Sequence, residues 1–235
     1  MGQDITFARP DGGEAGGYLA ECGNGSAPGV VLIQEWWGLN DQICGVADRF
    51  ARAGYNALAP DLYEGRVTQE PDEANHMMSG LDFPGATHQD IRGAALHLQD
   101  LAPNGDGKVA VMGFCMGGQV SYLIAGHNPD LSVAVCFYPG FVFNRLGSGE
   151  DQAPFDTSAN IKCPTLILTG EDDGNPSPEM ADRMDAALTA AGTVHEMVLY
   201  PGAAHAFMSK GGDSYREHPA TDGWRRALEW IDRYL

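Results

Sequence analysis

An α/β fold with a mostly parallel central sheet and helices on both faces is predicted by three features of this 235-residue chain. Short, continuous apolar runs rich in β-branched residues recur along it, as expected of strands covered on both sides. Helical stripes of apolar residues separate those runs. Two of the stripes stop at a glycine, Gly54 and Gly192, where a helix can end in a left-handed residue.

Taken in order, roughly the first 25 residues are rich in glycine and read as an antiparallel hairpin at a sheet edge. Val30 to Ile33 is the first central strand. Ile43, Val46, Ala47 and Phe50 share one helical face ahead of the strand Tyr55 to Leu58. Thr87-His88-Gln89-Asp90 has the pattern of a capping box, followed by the stripe Ile91, Ala94, Ala95 and Leu98. The strand Val109 to Met112 leads into the apolar helix Val120 to Ala125, and Val133 to Phe137 and Thr165 to Leu168 are further strands. Met180, Met184, Ala187 and Leu188 mark a helix, Met197 to Leu199 a strand, and Trp224, Ala227, Leu228 and Ile231 a last helix. Right-handed crossovers between parallel strands place functional loops at the strands' carboxyl ends. Leu62 to Gly85 and Gly140 to Asn160 are long for simple connections and are expected to cover a pocket.

Length and a 43% hydrophobic content suffice for one core, so residues 1–235 are expected to form a single domain, with a monomer as the default state. Fourteen Lys+Arg stand against 32 Asp+Glu, a net charge of -18, which argues against nucleic acid or an anionic membrane as partner. A small-molecule partner remains open, because the global field is screened beyond about 8 Å. The N-terminal stretch lacks a basic start followed by an apolar run, and no apolar run approaches the ~20 residues of a membrane span, so a cytoplasmic location is expected. Cys22, Cys44, Cys115, Cys136 and Cys163 form no CxxC pair. Reduced thiols are expected, with no zinc site and no cofactor.

Chemistry enters at Gly113-Phe114-Cys115-Met116-Gly117-Gly118, directly after a strand and before a helix. This is a nucleophile elbow with cysteine in the serine position. The flanking glycines permit a sharp turn that projects residue 115 above the sheet. There the thiol faces the positive end of a helix, and the Met116 N–H can bind an oxyanion. Alone, the motif is also compatible with a buried structural cysteine. Thr169-Gly170-Glu171-Asp172-Asp173 brings carboxylates to the end of another strand, although an isolated acidic turn of this kind is ordinarily solvated. Tyr200-Pro201-Gly202-Ala203-Ala204-His205 presents a single histidine after the next strand. The order Cys, Asp, His is that of the α/β-hydrolase fold, and three weak signals at three required strand ends reinforce one another. Ile33-Gln34-Glu35-Trp36-Trp37-Gly38 follows the first central strand, where that fold draws its second oxyanion N–H, here Trp36. Glu35 is then expected near the thiol. Trp37, Tyr138 and Phe207 complete the expected oxyanion and substrate-binding set.

Together with Ala59-Pro60-Asp61-Leu62-Tyr63, these segments resemble the dienelactone hydrolase family from about residue 15 to the C-terminus. The resemblance implies a cofactor-free hydrolase, of the carboxymethylenebutenolidase type, that opens a small ester or lactone through a thioester. It implies Cys115, Asp172 and His205 as triad and Glu35 as the carboxylate that helps ionise the thiol. Asp172 is preferred to Asp173 by its spacing from Gly170 and Pro176. The two arginines with which the family reads a substrate carboxylate have no match, since Ser209 stands four residues after His205 and Val67 to Asp82 contains no Arg or Lys. A changed specificity, toward neutral esters or lactones, is therefore expected. Lys210 and Arg66 are the nearest substitutes. The competing expectations are a thiol redox sensor or ligand-binding protein on the same fold, and a thiol peptidase.

Overall fold

A computed structural model describes residues 2–102, 107–128, 130–146 and 152–235. Residues 147–151 of the expected excursion lie outside the described residues. Eight strands form one sheet: β1 (Gln3–Ala8), β2 (Glu14–Ala20), β3 (Gly29–Ile33), β4 (Asn56–Pro60), β5 (Val109–Phe114), β6 (Val133–Phe137), β7 (Thr165–Gly170) and β8 (His195–Tyr200). Their spatial order is β1-β2-β4-β3-β5-β6-β7-β8. β1 and β2 form the expected antiparallel hairpin, and β2 also runs antiparallel to β4. All other pairings are parallel.

Alternate residues of each central strand feed two separate cores. Val31, Ile33, Val109 and Val111 join Ala94, Leu98, Val120, Leu123 and Met184 on one face. Val30, Leu32, Ala110 and Met112 join Ile43, Phe50, Ala227 and Ile231 on the other. Both faces are therefore dry, which is why the strands read as continuous apolar runs. Each fully buried aliphatic side chain contributes about 1.5–3 kcal/mol.

The helices on the second face are α1 (Asp41–Arg52) and α7 (Glu217–Tyr234). Asn40 caps α1 by accepting from the Ile43 N–H at 3.2 Å. α4 (Arg92–Leu101), α5 (Met116–Ala125) and α6 (Pro178–Ala191) cover the first face. Gly192 ends α6 at φ 70°, as its place after the stripe predicts.

The excursion after β4 holds α2 (Pro71–Ser79) and a single turn, α3 (Phe83–Gly85). Here the sequence reading needs correction. Thr87 is not an N-cap, because the chain is already helical from Phe83 and continues through a π-helical stretch, Ala86–Ile91. The cap is Asp82, whose carboxylate accepts from the Gly85 N–H at 3.2 Å, while the Thr87 hydroxyl donates back to the Phe83 carbonyl at 2.8 Å.

Strand order reverses at β3, whose neighbours are β4 on one side and β5 on the other. An open α/β sheet has a crevice at such a reversal, outside the carboxyl ends of the strands. Glu35 follows β3 there and Cys115 follows β5.

Candidate active site

The turn after β5 is as tight as its glycines require. A side chain at Gly113 would collide with the Gly117 carbonyl, and one at Gly117 with the Ile33 carbonyl. Between them Cys115 sits at φ 54°, ψ −115°, outside the regions that non-glycine residues ordinarily occupy. The Cys115 N–H donates to the Phe137 carbonyl at 3.1 Å, and its carbonyl accepts from the Gln119 N–H at 3.0 Å. The side chain is thus held at the head of α5, half-buried. Met116 is the first residue of that helix, where N–H groups lack intrahelical partners.

His205 lies in the turn after β8, its side chain 35% exposed. Its Nδ1 meets Asp173 Oδ2 at 2.9 Å, and the Cys115 thiol lies close enough to the ring to act on its protonation. Burial alone would lower the imidazole pKa. The hydrogen bonds to Asp173 and Cys115, and the negative charge of both, prevail and push it up to about 10.

The carboxylate at the histidine is therefore that of Asp173, whereas spacing favoured Asp172. The Asp172 N–H donates to the Ala203 carbonyl at 2.9 Å, prolonging the β7–β8 pairing, and its side chain is left exposed. The next residue turns back, its N–H donating to the Gly170 carbonyl at 3.3 Å, and its carboxylate, only 1% exposed, points inward. Asp173 Oδ1 also accepts from the Asn175 N–H at 2.8 Å, so both oxygens are engaged.

Glu35 is buried within electrostatic range of His205, and its side chain neighbours Tyr138 and Ser209. Burial raises its pKa to about 7, against the opposing pull of the His205 charge and of Tyr138 and Ser209. Trp36 and Trp37 pack edge to face, 4.8 Å between ring centroids, and both are half-buried. The Trp37 carbonyl ties this loop to the excursion by accepting from the Thr68 N–H at 3.1 Å.

Two residues expected to touch substrate stand behind the site instead. Phe207 is fully buried, its ring 5.1 Å from Tyr138 and 5.3 Å from Tyr200. Tyr138 is equally buried and stacks edge-on against His205 at 5.1 Å. Its hydroxyl stands beside Glu35 and Ser209 without a well-formed bond to either. Tyr138 thus abuts the imidazole, and Phe207 packs against Tyr138.

Residues that motif reasoning passed over also enter the site. Tyr63 donates its hydroxyl to the Met116 sulfur at 3.2 Å and lies close enough to Cys115 to feel its charge. Ser209, four residues after His205, neighbours Glu35 and Tyr138. Of the two substitute cations, Arg66 lines a cleft of about 730 Å³ together with Tyr63. Arg66 pairs with Glu73 at 3.6 Å, and Lys210 lines a separate cavity of about 370 Å³ with Arg49 and Arg52.

A nucleophile, an imidazole and a buried carboxylate in one chain of contacts, beside N–H groups at a helix head, can perform acyl transfer. No helix among the described residues is long and apolar enough to cross a membrane.

Comparison with known proteins agrees with the α/β architecture. A family model described as the dienelactone hydrolase family matches residues 15–235. A protein of Salmonella typhimurium carrying the provisional name carboxymethylenebutenolidase is 33% identical over 237 residues, spanning 98% of this chain and 87% of its own length. A protein called usf from Aquifex pyrophilus is 31% identical, with full coverage of both chains. The crystal structure of a provisionally assigned dienelactone hydrolase from Klebsiella pneumoniae superposes with a TM-score of 0.84 at 30% identity, covering 100% of both chains.

Proposed function

The chain belongs to the dienelactone hydrolase family, and from that premise we propose that it hydrolyses a small ester or lactone by covalent catalysis through Cys115. The observation that carries this reading is the position of His205, which touches the buried carboxylate of Asp173 at 2.9 Å and lies close to the thiol at the elbow.

In the proposed cycle the Cys115 thiolate adds to the substrate carbonyl, and the N–H groups of Met116 and Trp36 hold the oxyanion. His205, held as imidazolium between two anions, gives its proton to the departing oxygen. A thioester remains on Cys115. His205 then takes a proton from water as it attacks the thioester, and the acid and free thiolate are released. Asp173 fixes the ring so that Nε2 faces the reaction. Glu35, buried with its carboxyl pKa raised to about 7, takes the thiol proton before attack and returns it to the thiolate once the acid has left.

Relatives that carry the name carboxymethylenebutenolidase suggest a lactone. No arginine or lysine stands where the resemblance calls for one, the exposed Arg66 pairs loosely with Glu73 at 3.6 Å, and Lys210 lies with Arg49 and Arg52. We therefore expect neutral esters and lactones to be preferred over carboxylate-bearing ones, a bidentate contact being absent where it would matter. Five unpaired cysteines fit action in the cytoplasm on a small molecule. A screen of neutral and carboxylated esters and lactones, run on the protein and on Cys115→Ala, tests this proposal. Turnover that is confined to the unaltered protein and greater on neutral substrates supports it. Equal turnover by Cys115→Ala sinks it.

A further inference from the structure

Phe141 sits awkwardly for a residue without a task. Among the described residues it is the only aromatic with large exposure, 52%, and its backbone lies at φ 54°, a conformation aromatic residues avoid. Nevertheless it is held from both sides. Its N–H donates to Asn175 Oδ1 at 2.8 Å, and its carbonyl accepts from Gln119 Nε2 and the Asn144 N–H, both at 2.9 Å. Gln119 and Asn175 belong to the proposed catalytic segments. The Asn175 N–H donates to Asp173 Oδ1, and the Gln119 N–H to the Cys115 carbonyl. The backbone that carries the exposed ring is thus tied to the segments of both the acid and the nucleophile.

Behind the ring lies a cleft of about 280 Å³, lined by Met78, Phe83, Gln119, Phe141, Arg145 and Leu146. Its walls come from the two excursions, with α5 as the floor. The residue before Phe141 abuts the imidazole, since a side-chain carbon on Gly140 would stand 3.5 Å from His205 Cε1. The imidazole must face the departing oxygen, so the chain beside that edge flanks the alcohol half of an ester.

We propose that Phe141 and this cleft bind the alcohol portion of the substrate and select for a bulky apolar or aromatic one. The inference rests on the hydrolase reading above and adds the side of the scissile bond on which specificity is set. Strain and exposure are retained at Phe141 because its ring closes over the leaving group.

Phe141→Gly separates this role from a structural one, since glycine adopts φ 54° freely and removes only the ring. The measurement is kcat/KM for ethyl acetate, 2-naphthyl acetate and ethyl octanoate, with thermal melting alongside. For the variant, an unchanged or raised Tm is expected. Loss of the ring contact should lower kcat/KM on naphthyl acetate about tenfold, the scale of one buried aromatic contact. Ethyl acetate should change by less than about twofold on the same reasoning, and Phe141→Leu should recover part of the loss. An equal fall on all three esters, no change on any, or a loss confined to the octanoate overturns the proposal. If the unaltered protein shows no Cys115-dependent turnover of ethyl acetate, the hydrolase reading itself has failed.

Discussion

Cys115 and Phe141 share the same unusual backbone angle, φ 54°, yet the chain reaches it by different means. At Cys115 the constraint begins in the adjacent sequence, where two glycines allow β5 and α5 to meet with no room for a side chain on either, and one distant partner, the Phe137 carbonyl, accepts from the Cys115 N–H. At Phe141 it is long-range, imposed by hydrogen bonds from Gln119 and Asn175, 22 and 34 residues away. The elbow is therefore written into a short spacing, whereas the backbone of Phe141 is held by distant segments. The first can persist while the second changes, which is how one catalytic group serves different substrates.

The sharpest way to break the elbow is to remove its sulfur. Cys115→Ala should lower kcat/KM by on the order of 10⁴ or more while Tm stays within a few degrees, as steady-state assays and calorimetry would show. Next in size, Asp173→Asn should cost about 10²–10⁴ in kcat, because the imidazole loses the partner that fixes its tautomer. Retention of full activity in that variant would show that the 2.9 Å contact is only structural.

Gly117→Ala attacks the elbow through its packing. The added methyl meets the carbonyls of Ile33 and Gln34. A loss of about 1–3 kcal/mol in denaturant unfolding is expected, as for other overpacked positions. The contrast with Phe141→Gly, expected to lose no stability, would confirm that the two strained residues are held in different ways.

Protonation gives a smaller, graded signal. Glu35 has its pKa raised from 4.5 to about 7, so between those values the unfolded chain binds fewer protons than the folded one, and stability falls as pH rises. His205, raised from 6.5 to about 10, stabilises fully below 6.5, and that contribution is lost as pH climbs through 10. Glu35→Gln should flatten the decline between about pH 4.5 and 7 in melting curves, and His205→Gln the decline from 6.5 to 10. An unchanged profile would contradict both assignments. Smallest of all, Asp172→Asn should alter kcat by less than about twofold, the ordinary consequence of a solvated surface change.

Much of the fold was legible because both sheet faces are dry. Val30 to Ile33 and Val133 to Phe137 could be recognised as buried strands from composition alone, and Gly113-Phe114-Cys115-Met116-Gly117 carried its geometry in its spacing. Three features were not legible, each for a physical reason. Thr87 looked like a cap, but Asp82 and Pro84 start the helix earlier, and a side chain inside a helix bonds backward instead. Asp172 and Asp173 are chemically identical neighbours, and only the pairing of Asp172 with Ala203 decides which carboxylate turns inward. Phe207 and Tyr138 lie close to His205 in the chain or in space, yet both are fully buried, Tyr138 against the imidazole and Phe207 against Tyr138, a distinction between contact and support that sequence order does not contain.

The central claim is that the acyl group passes through the sulfur of Cys115 under the control of His205 and Asp173. The most direct measurement is peptide mass spectrometry after rapid acid quenching of the protein mixed with p-nitrophenyl acetate, performed also on Asp173→Asn. The account predicts an acetyl thioester on the peptide containing Cys115, longer-lived in the variant because water is activated more slowly. Acetyl found on another residue, with the Cys115 thiol left free throughout turnover, would contradict it.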